Sequence, residues 1–446
     1  MGRIFGTDGV RGRANAELTP ELGLALGRAL ITVLHEEGSR RPSVLIGRDP
    51  RWSGEMLDAA LTAGITSAGG DAISVGVLPT PAVAHLTKRS SAAAGAMISA
   101  SHNPVGDNGI KFFGPDGFKL SDEEEDRLEQ VVAQDTGRRP RGTDIGRRLR
   151  DPAAVARYIE HLAGIVDVDL TGLRIVVDGA NGAASSVAPQ VYRQLGAEVI
   201  EIHCRPDGAN INENSGSTHP EEICRAVVEL GADAGVSHDG DADRLIAATH
   251  EGVEVDGDVI LAILAREMHH HGTLRGEAVA TTVMTNLGFK QAMQALGVEV
   301  VETRVGDRYV LEAMREHDLN LGGEPSGHLI SLDHATTGDG ILSAVRLLSI
   351  VRSTGASLKE LATVMTRLPQ VLVNVDGVDR EGLGDAESVW EAVRAEEKRL
   401  GEEGRVLLRP SGTEPVIRVM AEAPTEVEAQ AVVDRISDAV RDRLTV

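Results

Sequence analysis

The sequence predicts an α/β fold with three similar mixed-sheet α/β domains and a smaller C-terminal α+β domain. Short apolar strands alternate with segments of helical periodicity along most of the chain. At 446 residues the chain is too long for one ordinary hydrophobic core. After residue 368 the order of elements changes to strand, helix, two strands and helix, which indicates a last domain of a different kind.

The individual elements follow from periodicity and from start and stop signals. The first helix is expected behind the start signal Thr19-Pro20-Glu21. The expected elements are a helix at residues 18–35, strands at residues 43–47, 92–98 and 234–236, βαβ units at residues 174–202 and 278–301, and helices near residues 309–316, 387–401 and 426–443. Two polar segments, residues 134–150 and 251–258, are interpreted as domain connections. The predicted domains are residues 1–150, 151–254, 255–368 and 369–446.

Charge and composition limit the functional class. The net charge is −23, from 45 basic and 68 acidic residues, which argues against a sequence-independent nucleic-acid binder. No signal-peptide layout and no apolar run of membrane-spanning length is found, so we expect a cytoplasmic protein with no membrane association. Cys204 and Cys224 are expected to be free thiols in a reducing compartment. The oligomeric state, including a homodimer, stays open.

Ser101 is the predicted nucleophile. The apolar strand expected at residues 92–98 ends just before it, and the Asn103-Pro104 pair starts a turn. The Ser101 hydroxyl is therefore presented at a strand end, with His102 beside it and Lys111 a short loop away. This arrangement suits a serine that accepts and donates a group.

The segment at residues 239–244 is the strongest single motif. Asp239, Asp241 and Asp243 occupy alternate positions in a loop that follows the expected strand at residues 234–236. Three carboxylates can converge in a tight loop, and hard oxygen ligands suit Mg²⁺. A solvated acidic turn is the alternative, but three aspartates followed by Arg244 between two apolar strands favour a metal site.

Two glycine-containing loops carry further polar residues. Residues 6–12 expose backbone N–H groups, and Arg11 can neutralise a phosphate, although a tight N-terminal turn accounts for the loop equally well. In residues 322–328, Glu324 and Ser326 can bind neighbouring sugar hydroxyls, and His328 can move a proton at neutral pH. A plain turn with a surface histidine is the alternative for this second loop.

Residues 409–415 and Arg418 have the composition of an anion cradle. Arg409 offers a bidentate guanidinium, and Ser411, Gly412 and Thr413 add hydroxyl and backbone donors. Phosphate binding is therefore favoured over a neutral loop.

Taken together, these loops resemble the α-D-phosphohexomutase superfamily over the whole chain. Its phosphoserine, metal, sugar and phosphate loops occur here in the same order, at residues 99–104, 239–244, 322–328 and 409–415. Three further runs, residues 3–12, 107–113 and 305–310, resemble the bacterial members that act on glucosamine phosphates. The resemblance implies four domains around a central cleft.

The resemblance also implies a mechanism and roles. Ser101 would carry a phosphoryl group, and Mg²⁺ would be held by Asp239, Asp241, Asp243 and an oxygen of that group. Glucosamine 6-phosphate and glucosamine 1-phosphate would interconvert through a 1,6-bisphosphate, with a hexose 1,6-bisphosphate as activator. The implied roles are Lys111 and then His328 for acid/base work, Arg11 and Arg244 for steadying the phosphoryl group, Glu324 and Ser326 for sugar hydroxyls, and Arg409, Ser411, Gly412, Thr413 and Arg418 for the substrate phosphate.

Two positions depart from the family pattern, and three other functions are alternatives. Pro325 stands where the sugar loop of the glucosamine-phosphate subfamily usually has glutamine, and proline removes a backbone donor and fixes φ. Ala242 replaces the glycine often seen in the metal loop. A phosphoglucomutase or phosphomannomutase would use the same chemistry. A metal-dependent phosphatase would release inorganic phosphate, and a sugar-phosphate sensor would need no nucleophile.

Overall fold

The computed structural model describes residues 3–6, 8–134, 136–411 and 415–445. The chain forms two compact units. The larger comprises residues 1–284 and 298–364, and the smaller comprises residues 285–297 and 365–446. The larger unit contains three mixed sheets and the smaller contains one antiparallel sheet.

The first sheet has six strands in the order β1-β5-β4-β2-β3-β6. Its elements are strands β1 (Val10–Arg13), β2 (Ser43–Arg48), β3 (Asp71–Val77), β4 (Ala94–Ile98), β5 (Asp107–Phe113) and β6 (Arg148–Arg150), and helices α1 (Pro20–Glu36), α2 (Trp52–Ser67), α3 (Thr80–Lys88) and α4 (Asp122–Gln134). Strands β2, β3, β4 and β6 run parallel, whereas β5 is antiparallel to β1 and β4. Residues 134–150, expected to be only a connection, thus end in an edge strand. All three residues of β6 are exposed, so its sequence carries no apolar signal.

The second and third sheets have five and four strands, in the orders β11-β10-β9-β7-β8 and β13-β12-β14-β15. The elements around the second are α5 (Ala154–Ala163), β7 (Arg174–Asp178), α6 (Ala188–Gln194), β8 (Glu198–Ile202), α7 (Pro220–Leu230), β9 (Ala234–Ser237), β10 (Ile246–Thr249) and β11 (Glu254–Val255). Those that follow are α8 (Gly257–His270), β12 (Ala278–Thr282), α9 (Leu287–Leu296), β13 (Glu299–Thr303), α10 (Asp307–Glu316), β14 (Leu321–Gly323), β15 (Leu329–Ser331), α11 (Gly340–Thr354) and α12 (Leu358–Ala362). Helix α9 lies in the smaller unit.

The three mixed sheets share one four-strand arrangement. Numbered along the chain within each sheet, the strands β2–β5, β7–β10 and β12–β15 all lie in the order fourth, third, first, second. In each sheet the third and fourth strands form an antiparallel hairpin. The hairpin loops are residues 99–106, 238–245 and 324–328. The predicted phosphoserine, metal and sugar loops therefore occupy equivalent positions, and the predicted similarity of the three domains is confirmed.

The smaller unit has the predicted order of elements. It contains β16 (Gln370–Val375), α13 (Glu387–Leu400), β17 (Arg405–Pro410), β18 (Ile417–Glu422) and α14 (Glu426–Leu444). The strands are antiparallel in the order β16-β18-β17, and their core includes Val375, Val389, Val419 and Ile436. In the described part of the chain, no helix combines the length and hydropathy needed to cross a bilayer.

Candidate active site

Ser101 is buried at the turn that follows β4. Its backbone has a positive φ of 51°, and its amide donates a hydrogen bond to Ser99 Oγ at 3.0 Å. The Ser101 hydroxyl donates to Asp239 Oδ2 at 2.5 Å, and His102 Nδ1 lies 3.2 Å from the same hydroxyl oxygen. The structure thus joins the predicted nucleophile directly to the predicted metal loop.

A fully buried arginine, Arg51, holds the serine loop in place. Its Nε donates to Asp49 Oδ2 at 2.8 Å, and the Asp49 carboxylate also accepts from Ser99 Oγ. Its four remaining N–H groups donate to backbone carbonyls of the loop, those of Ser101, Asn103, Pro104 and Asp107. The sequence analysis missed Arg51 and Asp49, because an Asp-x-Arg beyond a strand carries no specific signal.

The three predicted metal ligands converge. Carboxylate oxygens of Asp239, Asp241 and Asp243 lie within 4.8 Å of one another, and all three side chains are buried. Burial and the neighbouring carboxylates of Asp243 and Asp241 raise the pKa of Asp239 to about 8. Asp241 Oδ1 and Asp243 Oδ1 are buried and accept no hydrogen bond from any described residue. A cluster of buried oxygen ligands with unused lone pairs fits a divalent cation.

Ala242 lets the metal loop turn although it replaces glycine. Its φ is 60°, in the left-handed region, which costs an alanine about 1 kcal/mol relative to glycine. The turn is fixed by the Ala242 amide donating to the Asp239 carbonyl, and by the Ala242 carbonyl accepting from the Gly340 amide. With alanine at this turn, the carboxylates of Asp239, Asp241 and Asp243 still converge.

Lys111 reaches the same carboxylates from β5. Its Nζ lies 3.1 Å from Asp241 Oδ2, 3.9 Å from Asp243 Oδ2 and 3.0 Å from Asp8 Oδ2. Burial opposes a charge on Lys111, but Asp241, Asp8 and Asp243 together raise its pKa. Thr80 also donates to Asp241 Oδ2, at 2.6 Å. The predicted acid/base candidate is therefore charged and fixed beside the metal loop.

The sugar loop contacts the metal loop through its backbone. The Leu245 amide donates to the Gly327 carbonyl at 3.0 Å, and the Pro325 carbonyl accepts from the Gly257 amide at 3.1 Å. Proline at residue 325 thus keeps the acceptor that this second bond uses. Glu324 accepts from the Gly306 amide, and burial raises the Glu324 pKa. Ser326 Oγ is buried and has no hydrogen-bond partner among the described residues.

His328 lies between two carboxylates. Its Nδ1 is 3.6 Å from Asp243 and its Nε2 is 3.7 Å from Asp307. Burial lowers the pKa of His328, but Asp243 and Asp307 outweigh it and raise the pKa to about 9. The Gly338 amide, which donates to Nε2 at 3.1 Å, favours the neutral ring instead. Because the two carboxylates favour the charged ring and the Gly338 amide favours the neutral ring, His328 suits proton transfer.

Arg11 and Arg244 approach the site from different sheets. Arg11 lies on β1, paired with Asp8, and Arg244 lies in the metal loop, where its amide donates to Asp239 Oδ1 at 3.2 Å. The Nε of each guanidinium is buried without a hydrogen-bond partner in the described part of the chain. Burial lowers the pKa of His102, and the two arginines lower it further, to about 4. Two guanidinium groups near Ser101 favour an anion there.

The residues predicted to bind the substrate phosphate belong to the smaller unit. Arg409 on β17 and Arg418 on β18 are directly opposite in the antiparallel register. Burial and Arg418 lower the pKa of Arg409. The Ser411 amide donates to the Val416 carbonyl at 2.9 Å. Gly412 and Thr413 lie outside the described residues.

Family models match consecutive parts of the chain. They are Phosphoglucomutase/phosphomannomutase, alpha/beta/alpha domains I (residues 2–139), II (156–252) and III (256–368), and the C-terminal domain (372–439). A phosphoglucomutase/phosphomannomutase family protein from Burkholderia thailandensis has a similar structure, with a TM-score of 0.84 at 24% identity over 100% of this chain and 99% of that one. Aspergillus fumigatus N-acetylphosphoglucosamine mutase, in complex with GlcNAc-6P and magnesium, gives 0.69 at 20% identity over 99% and 96%.

A full-length relative narrows the family. Phosphoglucosamine mutase of Thermobifida fusca is 54% identical, over 100% of both chains. The chain belongs to the phosphoglucosamine mutase family. Members of this family are α-D-phosphohexomutases, so the resemblance found in the sequence and the predicted enzyme class, an isomerase, are confirmed.

Proposed function

We propose that the protein interconverts glucosamine 6-phosphate and glucosamine 1-phosphate through a phosphoserine at residue 101 and a 1,6-bisphosphate intermediate. The observation that carries this proposal is the 2.5 Å hydrogen bond between Ser101 and Asp239, within three buried carboxylates. It supports a serine nucleophile next to a cation. The amino-sugar substrate is supported by the family, whose T. fusca member aligns over its full length.

Asp239, Asp241 and Asp243, with an oxygen of the Ser101 phosphoryl group, would hold Mg²⁺. The cation would offset negative charge on the phosphoryl group as it moves. Magnesium is favoured because the ligand set is entirely oxygen, and the A. fumigatus enzyme was crystallised with it.

In the forward direction, O1 of glucosamine 6-phosphate attacks the phosphorus carried on Ser101. The bond between phosphorus and Ser101 Oγ breaks as the bond to O1 forms. A base accepts the O1 proton and Ser101 Oγ gains a proton, and for this acid/base work Lys111 is the first candidate and His328 the second. In the second half, Ser101 Oγ gives up its proton and takes the phosphoryl group from O6 of the reoriented bisphosphate, and O6 gains a proton. Arg11 and Arg244 supply guanidinium groups to the moving charge.

The remaining binding roles fall to two loops. Glu324 and Ser326 would bind sugar hydroxyls. The role of Ser326 is supported by its buried hydroxyl, which has no hydrogen-bond partner among the described residues. The substrate phosphate would bind Arg409, Ser411, Gly412, Thr413 and Arg418. A hexose 1,6-bisphosphate would keep Ser101 phosphorylated. We expect the enzyme to be cytoplasmic and to bind a sugar phosphate as its small-molecule partner. Whether it forms a homodimer is a separate question.

The covalent step is tested by Ser101→Ala, which removes only a hydroxyl. We expect turnover to be abolished while the far-UV circular dichroism spectrum is unchanged, and the protein should no longer take label from ³²P-hexose 1,6-bisphosphate. Wild-type rates in this variant would overturn the phosphoserine mechanism.

The metal site is tested by Asp241→Asn, which should raise the Mg²⁺ concentration needed for half activity. An unchanged Mg²⁺ dependence would show that Asp241 is not a metal ligand.

The substrate is tested by comparing initial rates on glucosamine, glucose and mannose 6-phosphates, with Mg²⁺ and a trace of the bisphosphate. We expect the highest kcat/KM with the amino sugar. A preference for glucose or mannose would keep the mechanism but change the substrate, and release of inorganic phosphate without isomerisation would favour a phosphatase.

A further inference from the structure

Six side chains around the active site form a closed ring of alternating acidic and basic groups. Going round the ring, the contacts run from Asp243 to His328, Asp307, Lys119, Asp8, Lys111 and back to Asp243. We refer to these six residues as the charge ring. Three of its members belong to the first sheet region, one to the metal loop and two to the third sheet region.

Lys119 makes the shortest contacts in the charge ring. Its Nζ lies 2.5 Å from Asp8 Oδ1 and 2.5 Å from Asp307 Oδ2. Asp8 uses its other oxygen, Oδ2, for Lys111 at 3.0 Å and for Arg11. Asp8 therefore stands between two lysines, one of which is the acid/base candidate and one of which is outside the phosphoryl site. The Asp307 carboxylate is fixed further by the Arg308 amide, which donates to Oδ1 at 2.8 Å.

From this geometry we propose that Asp8 and Lys119 are positioning residues that aim the Lys111 ammonium at the reacting oxygen. The proposal rests on the proposed acid/base role of Lys111. Lys119 fixes the Asp8 carboxylate, and Asp8 fixes Lys111. Lys119 itself does not touch the carboxylates of the metal loop.

The need for Asp8 follows from the charges around Lys111. Without a cation, Asp241, Asp243 and Asp8 all attract its Nζ. A divalent cation held by the metal-loop aspartates would reduce the attraction from that side, since a bound metal ion inverts the local electrostatics. Asp8 would then be the carboxylate that holds Lys111, in a direction fixed by the contact of its other oxygen with Lys119.

Lys119 in turn depends on having two acidic partners. Burial opposes its charge, but Asp307 and Asp8 raise its pKa, so it stays an ammonium across the working range of pH. An uncharged side chain at this position would leave two partly buried carboxylates facing each other, and each would rotate away from the other. Asp8 would then no longer point its Oδ2 at Lys111.

The test compares Lys119→Met with Arg308→Met in the full-length enzyme. Arg308 is the matched control, because it also links α10 to the chain around the start of α4, through the Leu120 carbonyl and Asp122, but it lies outside the charge ring. We expect Lys119→Met to lower kcat about 10- to 100-fold, the size of effect that a displaced acid/base group produces. KM for glucosamine 6-phosphate and half-activating Mg²⁺ should stay within about twofold of wild type. Arg308→Met should keep the wild-type kcat.

Two further variants separate positioning from a structural role. Lys119→Arg keeps the charge and should recover most of the lost kcat. Asp8→Asn should lower kcat as Lys119→Met does, and the double variant should be no worse than the poorer single, since both act through Lys111.

The outcomes are distinct. Equal losses of kcat in Lys119→Met and Arg308→Met would overturn the proposal in favour of a structural link. Wild-type kcat in Lys119→Met and Asp8→Asn, with an inactive Lys111→Met, would also overturn it while leaving the proposed function intact. An active Lys111→Met would instead show that the proposed role of Lys111 is wrong, and the positioning proposal would fall with it.

Discussion

Removing the Arg51 guanidinium should destabilise the first sheet region more than any surface substitution. Arg51 and Asp49 are both fully buried, and Arg51→Met leaves the Asp49 carboxylate without its ion-pair partner. Breaking a buried ion pair on one side costs about 3–5 kcal/mol. Loss of donors to four loop carbonyls adds to this, although the loop can relax. Protonation of Asp49, whose pKa burial already raises against the pull of Arg51, limits the total.

The loss can be measured with a local probe. The chain has two tryptophans, and Trp52 directly follows Arg51, so a Trp390→Phe background leaves Trp52 fluorescence to report on this region. With a urea m-value of about 1–3 kcal/mol/M, a loss of about 3–5 kcal/mol should lower the unfolding midpoint by about 1 M or more. The matched control is Arg127→Met, whose pairs with Glu36 and Glu37 are exposed.

The control should lose less than about 1 kcal/mol, because exposed ion pairs contribute little. Equal midpoint shifts for Arg51→Met and Arg127→Met would refute the reasoning. Arg51→Lys, which keeps the charge but offers fewer donors, should fall between the wild type and Arg51→Met. Activity should fall in parallel with stability, because the Ser101 carbonyl is one of the acceptors.

Three further substitutions have expected outcomes. The hydrogen bond from His203 to buried Asp178 raises the pKa of His203, so this stabilisation is present below about pH 6.5 and is lost as the pH rises through the folded pKa; His203→Gln should remove that slope from unfolding midpoints measured against pH. Gly327→Ala places a Cβ 2.1 Å from the Leu245 carbonyl oxygen, at a residue whose φ is 87°. The resulting strain should raise KM in steady-state assays and lower the stability by about 1–3 kcal/mol in thermal melts. An unchanged KM would show that the sugar loop is not strained by the substitution. Glu422→Gln removes the charge of a fully buried carboxylate that pairs with the partly buried Arg405 in the smaller unit, and Trp390 fluorescence should show a loss of about 3–5 kcal/mol in urea, whereas a loss under about 1 kcal/mol would count against it.

The sequence predicts the strands well where apolar residues cluster between clear stops. Strand β7 begins and ends where expected, because its buried run at residues 175–177 is bounded by charged residues, and the half-buried strand β8 also has the expected bounds. The metal loop is equally readable, since three aspartates at alternate positions between apolar strands favour converging ligands over a solvated turn. Strand β6 cannot be predicted from the sequence, because its three residues are exposed and show no buried apolar pattern.

The connections within the site are harder to predict than its members. Ser101 and Asp239 are each recognisable, but the bond between them depends on how two hairpin loops meet, which no local pattern encodes. Lys119 and Asp307 are 188 residues apart in sequence, and a single lysine or aspartate in a polar loop has no distinguishing neighbours. Arg51 is missed for the same reason, since its carbonyl acceptors exist only after the loop has folded.

The charge ring also bears on how such enzymes can be recombined. A chimera that took its third domain from a phosphohexomutase with other residues at the positions of Asp307 and His328 would still keep Asp8, Lys111 and Lys119 from the original parent. Each domain of such a hybrid would fold correctly, but the charged side chains of the first and third domains would no longer match where the charge ring joins them. The charge-ring residues of the first and third domains therefore have to come from the same parent. Domain exchange should succeed only when they are transferred together.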